Sequence, residues 1–231
     1  MKVLKNNIAS FSTDTSIQIY LKKFYEGLFD QEIKIFKKYI PTKTKWKILD
    51  LGCGTGRTTK YLIYYGHEVI GVDISKEMIA TAKSLIPDVD FAVGDACNLP
   101  FRSNLFDCVI FSFNGIDYIY PENLRIKALL EINRVLKNNG LFIFSSHNSF
   151  QLISNSIKGY LKIVIRWLRN PLSKYKIDKT SYGNLTTYFI NPFSQEKQLR
   201  KCGFKLIEIV GKYSNVLKYF EPWIYYVARK I

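Results

Sequence analysis

The chain has 231 residues, 47% hydrophobic and 23% charged, with 34 Lys and Arg against 19 Asp and Glu, a net charge of +15. That composition excludes a disordered, collagen-like or repeat-only chain, and no stretch approaches the roughly 20 consecutive apolar residues that span a bilayer. The charge is uneven, with +5 in 1–45, −1 in 46–147 and +11 in 148–231, so basic flanks enclose a near-neutral middle.

In 17–40 the apolar residues Ile17, Tyr20, Leu21, Phe24, Leu28, Ile35, Phe36 and Tyr39 recur at helical intervals with Lys between them, which predicts one or two amphipathic helices ended by Pro41. A strand over 47–51 runs into Gly52, and a helix over 58–65 stops at Gly66. A strand over 68–72 precedes a helix over 76–85, for which Ser75 supplies an N-cap and Glu77 a first-turn acid. Strands follow over 89–93 and 106–113, then a helix over 124–136 stopping at Asn138-Asn139-Gly140, then a strand over 141–145. This alternation calls for a parallel sheet with helices on both faces. The unbroken apolar run Cys108-Val109-Ile110-Phe111 agrees, because such strands are buried on both sides.

After His147 the rhythm breaks. A basic, apolar helix is predicted over 150–168, then a polar Tyr-bearing segment up to Asn191-Pro192, a helix over 194–201 and strands over 204–210 and 223–228. The stretch 148–191 is too long for a plain connection and reads as an insertion forming a lid. Four scattered cysteines without Cys-x-x-Cys, and only two histidines, argue against a disulfide framework or a metal site. They point to reduced thiols and a cytoplasmic setting, and residues 1–14 lack the apolar run of an export signal.

The sharpest motif is Ile48-Leu49-Asp50-Leu51-Gly52-Cys53-Gly54-Thr55-Gly56, directly after a strand and before a helix. Alternate glycines let the backbone turn tightly and approach a ligand closely. The dinucleotide fingerprint needs a third glycine where Arg57 stands, and no Gly-Lys-Ser/Thr of a phosphate loop follows. Asp50 repels a diphosphate but suits a ligand bearing an ammonium group.

With Gly71-Val72-Asp73-Ile74-Ser75, Gly94-Asp95-Ala96, Phe106 to Phe111 and the turn 131–140 in the right order, the chain resembles the class I S-adenosylmethionine-dependent methyltransferases, in particular the small-molecule group. The resemblance covers about 45–147 well and 193–230 loosely. Asn139 is a minor departure, standing where a proline or glycine is more usual. The resemblance implies an α/β, Rossmann-like, mostly parallel seven-stranded sheet with helices on both faces and an antiparallel last strand, plus a helical cap. It implies S-adenosyl-L-methionine as cofactor. Asp50, Gly52, Cys53, Gly54 and Gly56 would hold its methionine portion. Asp73, beside Ile74, would bind the ribose hydroxyls, since a carboxylate at a strand's end can accept two charge-assisted bonds from a diol. Asp95 would meet the adenine amino group and the Ala96 amide a ring nitrogen, with Phe111 at the end of the fourth strand nearby. The chain then reads as one domain, with cap helices over 1–45, a cofactor-binding core over 46–147, a lid over 148–191 and the end of the sheet over 192–231.

Ligands of such sheets sit beyond the C-terminal strand ends, which places the acceptor near 113–118 and 145–148. His147 has the ordinary chemistry of a general base for a hydroxyl, but reads equally as a helix cap or a loop tie. Asn114 and Asp117 can position an acceptor or form a turn. Tyr20 and Tyr25 can close over the cofactor, and Tyr182 and Tyr188 can line the substrate side, while core packing is the weightier reading of both pairs. No Asn/Asp-Pro-Pro-Tyr/Phe follows the fourth strand, and no Pro-Cys pair is present, which weighs against adenine, glutamine and cytosine-C5 methylation.

Lys158, Lys162, Arg166 and Arg169 form one basic helical stripe able to grip an acidic substrate, lie on an anionic membrane as a peripheral contact, or be an ordinary solvated face. The leading expectation is methyl transfer to oxygen or nitrogen of a small or glycan-linked metabolite, with acidic ones among the candidates. The alternatives are an RNA methyltransferase using the basic flanks, whose binding would fall steeply with salt, and a non-catalytic cofactor-binding module.

Overall fold

The computed structural model describes residues 2–151, 161 and 174–231. Its strands are β1 (Lys47–Leu51), β2 (Glu68–Asp73), β3 (Asp90–Val93), β4 (Phe106–Phe111), β5 (Leu136–His147), β6 (Tyr175–Thr180), β7 (Gly183–Tyr188), β8 (Phe204–Val210) and β9 (Trp223–Lys230). The described helices are α1 (Lys2–Phe11), α2 (Asp14–Glu26), α3 (Asp30–Tyr39), α4 (Arg57–Tyr64), α5 (Lys76–Leu85), α6 (Glu122–Val135) and α7 (Pro192–Lys201). Seven strands form one sheet in the order β3-β2-β1-β4-β5-β9-β8. The first five pair in parallel, and β9 runs antiparallel between β5 and β8. This is the Rossmann-like α/β sheet with an antiparallel last strand that the sequence predicts.

Strand alternation sends side chains to two cores. Val109 and Phe111 of β4, Phe142 and Phe144 of β5 and Tyr226 of β9 pack with Leu129, Ile132 and Val135 of α6 and with Leu199 of α7. Cys108 and Ile110, Leu141 and Ile143, and Tyr225 and Val227 face the other way, onto Ile35 and Phe36 of α3 and Leu62 of α4. Burying each such side chain fully contributes about 1.5–3 kcal/mol, so the apolar run in β4 is required by two covered faces.

Local chemistry sets the helix ends. Thr13 caps α2 by accepting from the Ser16 amide at 3.2 Å, and the Ser75 hydroxyl accepts from the Met78 amide at 3.2 Å, as predicted. Asn191 accepts from the Ser194 amide at 2.9 Å, with Pro192 opening α7. The amphipathic run over 17–40 is two helices, parted at Gly27 with φ +91°.

The structure also departs from the sequence reading. Residues 2–11 are helical. The fourth strand stops at Phe111, because Phe113 and Asn114 take φ of +52° and +61°. The fifth strand begins at Leu136, which pairs with Phe106. The polar Tyr-bearing segment, given no secondary structure by the sequence, is a hairpin, β6 pairing antiparallel with β7 around Ser181-Tyr182. The helix predicted over 150–168 and its stripe Lys158, Lys162, Arg166 and Arg169 lie outside the described residues, apart from Phe150, Gln151 and Leu161. No described helix is long and apolar enough to cross a membrane.

Candidate functional site

At the C-terminal ends of β1, β2 and β4 the chain opens into a cleft of about 900 Å³, partly continuous with solvent. Its floor is the loop after β1. Gly52 and Gly54 have φ of +64° and +54°, and a Cβ on Gly52 would stand 2.6 Å from the Phe111 ring. The loop therefore needs glycine both for its left-handed backbone and for the aromatic ring beneath it. The Cys53 amide donates to the Val72 carbonyl at 3.1 Å. The Gly54 amide donates to Asp73 Oδ2 and the Ser75 amide to Asp73 Oδ1, each at 2.9 Å.

Asp73 thus ties the loop to β2 while lining the cleft with Ile74. Each of its oxygens keeps a lone pair for a further donor, and burial pushes its carboxyl above its ordinary value. Asp95, whose Oδ1 accepts from the Cys97 amide at 2.8 Å, continues the wall with Gly94, Ala96 and Phe111.

Three residues expected at the ligand are elsewhere. Asp50 is not among the residues lining the cleft. It is 1% exposed, its Oδ2 accepts from the hydroxyls of Thr58 at 2.6 Å and Thr59 at 2.5 Å, and burial pushes its carboxyl up to about 6. It anchors the start of α4, so the ammonium partnership expected of it is corrected. Cys53 packs beneath the loop with Ile79, Ala82 and Phe91. Gly56 serves as the left-handed N-cap of α4.

The roof comes from distant segments. Asn7, Ile8 and Phe11 of α1, Tyr20 of α2 and Phe113 and Tyr118 after β4 all line the cleft. The Asn7 amide nitrogen donates to the carbonyls of Tyr118 and Thr186, both at 3.0 Å, while its oxygen accepts from the Thr186 amide at 2.9 Å. The Phe11 ring lies 4.9 Å from Tyr118 and 6.0 Å from Tyr182, and Tyr20 lies 5.7 Å from Phe113. Tyr182 stands at the hairpin turn, and burial pushes its hydroxyl above the ordinary value.

Other expected residues fall behind this roof. Tyr25 is exposed. Tyr188 is fully buried, donates to Glu122 Oε1 at 2.7 Å and stacks under Arg125. Asn114 is buried, and its amide donates to Ser145 Oγ at 2.8 Å.

Asp117 and His147 come together. Asp117 is fully buried. Its Oδ1 accepts from Arg125 Nη1 at 2.7 Å and Ser146 Oγ at 2.8 Å, and its Oδ2 accepts from the His147 amide at 2.6 Å and faces His147 Nδ1 at 2.9 Å. The His147 ring packs against Phe189 and Tyr118, at 5.2 and 6.0 Å between centroids.

Phe113 and Tyr118 fall within the 113–118 segment expected at the acceptor, whereas sequence reasoning missed the α1 residues and the partner of Arg57. Arg57 Nη2 donates to Glu32 Oε1 at 2.8 Å and Nη1 to Oε2. Glu32 also accepts from the hydroxyls of Ser112 and Tyr225. The misfit of Arg57 to the dinucleotide fingerprint was the visible signal.

The lining contains two carboxylates, Asp73 and Asp95, and no Lys, Arg or His among the described residues. That donor set does not suit a diphosphate. It suits a sulfonium-bearing adenosyl ligand: a glycine cradle that a Cβ would fill, a carboxylate with acceptors to spare for a diol, and aromatic rings that attract a cation on their faces.

The comparisons with known proteins agree. A family model described as a methyltransferase domain matches residues 48–140. An uncharacterised protein of Methanocaldococcus jannaschii is 32% identical over 91% of both chains. A demethylmenaquinone methyltransferase of Staphylococcus saprophyticus is 31% identical over 74% of this chain and 76% of its own. The chain spans about half the length of other curated relatives, such as the demethylmenaquinone methyltransferase of Paenarthrobacter aurescens, 37% identical over 46% of that protein. Among solved structures, a methyltransferase from Methanosarcina mazei shares the fold at a TM-score of 0.71 and 20% identity, over 89% of this chain and 99% of that one.

Proposed function

The chain belongs to the class I S-adenosylmethionine-dependent methyltransferases, and from that premise we propose that it methylates a neutral, ring-bearing small molecule at a hydroxyl oxygen or at the ring carbon beside one. The observation that carries this reading is the cleft wall. Although the net charge is +15, none of the cleft-lining residues named above is cationic among the described residues. An acidic acceptor would enter beside Asp73 and Asp95 with no counter-charge among the described residues, whereas Phe11, Tyr20, Phe113 and Tyr118 offer flat apolar faces to a neutral ring. The demethylmenaquinone methyltransferases among the relatives carry in their name an acceptor of this neutral, aromatic kind.

When bound, S-adenosylmethionine supplies an electrophilic methyl group on a sulfonium. The chain's own residues bind and orient. Asp73 has acceptors for the ribose, Gly52 and Gly54 let backbone approach the ligand, and Tyr20, Phe11 and Tyr118 enclose the reacting region and thin out water. Holding donor and acceptor in line can contribute up to about 7–11 kcal/mol.

The test is a pair of acceptors sharing one ring: 1,4-naphthohydroquinone and its 2-carboxylate, each incubated with S-adenosylmethionine and read by mass spectrometry. Methylation of the neutral diol at least tenfold faster is expected. A preference for the carboxylate, or methyl transfer to RNA with a steep salt dependence, would overturn the reading.

A further inference from the structure

Resting on the methyl-transfer reading for its chemistry, we propose that Asp117 is the positioning residue for His147, fixing the imidazole as the Nδ1–H tautomer so that Nε2 takes the proton of the acceptor hydroxyl. Three features carry this. First, Asp117 grips His147 twice through Oδ2, at the backbone amide (2.6 Å) and at Nδ1 (2.9 Å). Both the position and the rotation of the ring are therefore set. Second, Oδ1 is occupied by Arg125 Nη1 and Ser146 Oγ. Arg125 is itself fully buried and held by the Ile116 carbonyl, Gln195 and Gln198. The carboxylate has no freedom to turn away, and its charge is matched.

Third, Nε2 has no hydrogen-bond partner among the described residues, and the His147 side chain is 18% exposed. His147 ends β5 and is not itself among the cleft-lining residues, but its ring lies edge-on to Tyr118, which is one of them. The other polar groups around it are those on the hairpin, where Lys176 lies over the Phe189 ring at 5.9 Å and Asp178 raises the Tyr118 hydroxyl.

A carboxylate that accepts at Nδ1 forces the proton onto that nitrogen and leaves the Nε2 lone pair free. The acceptor O–H proton passes to Nε2 and the oxygen keeps the bonding pair. That pair, or the ring carbon it activates, takes the methyl group, while sulfur retains the pair of the broken C–S bond. Methylation at carbon also releases the proton that carbon carried, to solvent. The imidazolium charge is set against Asp117 until its proton also leaves to solvent. The arrangement parallels other carboxylate-oriented histidine bases, in which the carboxylate fixes the tautomer without itself being protonated.

With only two histidines in the chain, imidazole nitrogen NMR resolves each. In the unliganded wild-type chain His147 is expected as the Nδ1–H tautomer. In Asp117→Asn the amide NH₂ must face a donor in either orientation, the His147 backbone N–H or Arg125 Nη1, so the carboxylate's hold on Nδ1–H is lost and the wild-type tautomer preference is expected to disappear. His147→Gln leaves the Asp117–Arg125 pair intact and so separates catalysis from folding. On 1,4-naphthohydroquinone it should lose turnover by about a hundredfold and lose the acidic limb of the kcat–pH profile, with S-adenosylhomocysteine affinity unchanged by calorimetry. A wild-type chain that leaves the diol unmethylated overturns the acceptor reading above. An Nε2–H tautomer in the wild-type chain, or a His147→Gln variant with the wild-type pH profile, overturns this one.

Discussion

Arg57 and Glu32 form a two-pronged ion pair, 8% and 1% exposed at their side chains, that joins the first turn of α4 to the first turn of α3. Burial pushes the Glu32 carboxyl up, but the hydrogen bonds and charge of Arg57, with help from Ser112 and the Phe29 amide, outweigh it and hold the group below its ordinary value. Because Ser112 lines the cleft and donates to Glu32, the pair also fixes one wall of the site. The position that a dinucleotide fold gives to glycine here holds the N-terminal helices to the sheet.

Glu32→Gln should therefore destabilise strongly, by about 3–5 kcal/mol, because it leaves a buried guanidinium uncompensated. Replacing both partners with apolar residues should cost less than that single change. The sign with pH follows from the depressed folded value: the stability contributed by Glu32 is present at neutral pH and is lost as pH falls through that value, below the ordinary carboxylate range of about 4.3. Urea midpoints of wild type and Glu32→Gln should converge on acidification, and a gap that stays constant down to acid unfolding would refute the assignment.

Asp50 has the opposite sign. Burial raises its carboxyl from 3.8 to about 6, so its favourable contribution is complete below 3.8 and is lost as pH rises through about 6. Asp50→Asn removes that dependence. Between pH 4 and pH 8 the stability of the variant relative to wild type should improve by up to about 3 kcal/mol. Denaturation midpoints at the two pH values check this, and an unchanged difference would mean that Asp50 stays ionised beneath α4.

What was legible in the sequence was local. The glycine loop, the Ser75 cap and the doubly buried β4 each announce themselves within a few residues, because turn geometry, capping and strand alternation act at short range. Asp50 was misassigned because a residue on β1 faces one side of the sheet or the other according to a register that sequence alone leaves open. The roof was hidden for a different reason. Asn7 meets Tyr118 and Thr186 across separations of 111 and 179 residues, and no short-range pattern encodes such a contact. The hairpin did carry a signal, a Ser181-Tyr182 turn before Gly183 with Leu185 and Thr187 buried on one face, but its polar composition obscured the alternation.

Asp73 performs two tasks that one substitution can separate. Asp73→Asn keeps an oxygen for one of the two backbone donors at Gly54 and Ser75 but loses the charge that strengthens bonds to ribose hydroxyls. Charge-assisted bonds contribute about 1.5–3 kcal/mol each, so S-adenosylhomocysteine should bind at least tenfold more weakly by calorimetry while the fold persists. Asp73→Ala also strips the loop of its tie and should bind more weakly still. Equal affinity in wild type and Asp73→Ala would remove the ribose role.

Asn7 is the point at which α1, the Tyr118 segment and β7 are joined. It is 2% exposed and makes three hydrogen bonds, each to main chain. Asn7→Ala leaves a buried Thr186 amide and two carbonyls without that partner, at about 1–3 kcal/mol for an unsatisfied buried group. Because α1 is only 10 residues long, too short for a stable isolated helix in water, the loss should appear as local release of the roof. Amide exchange in 2–11 and 183–188 should accelerate by tenfold or more, while the amides of β1, β4 and β5 keep wild-type protection. Acceleration spread evenly through the sheet would show instead that Asn7 supports the whole fold.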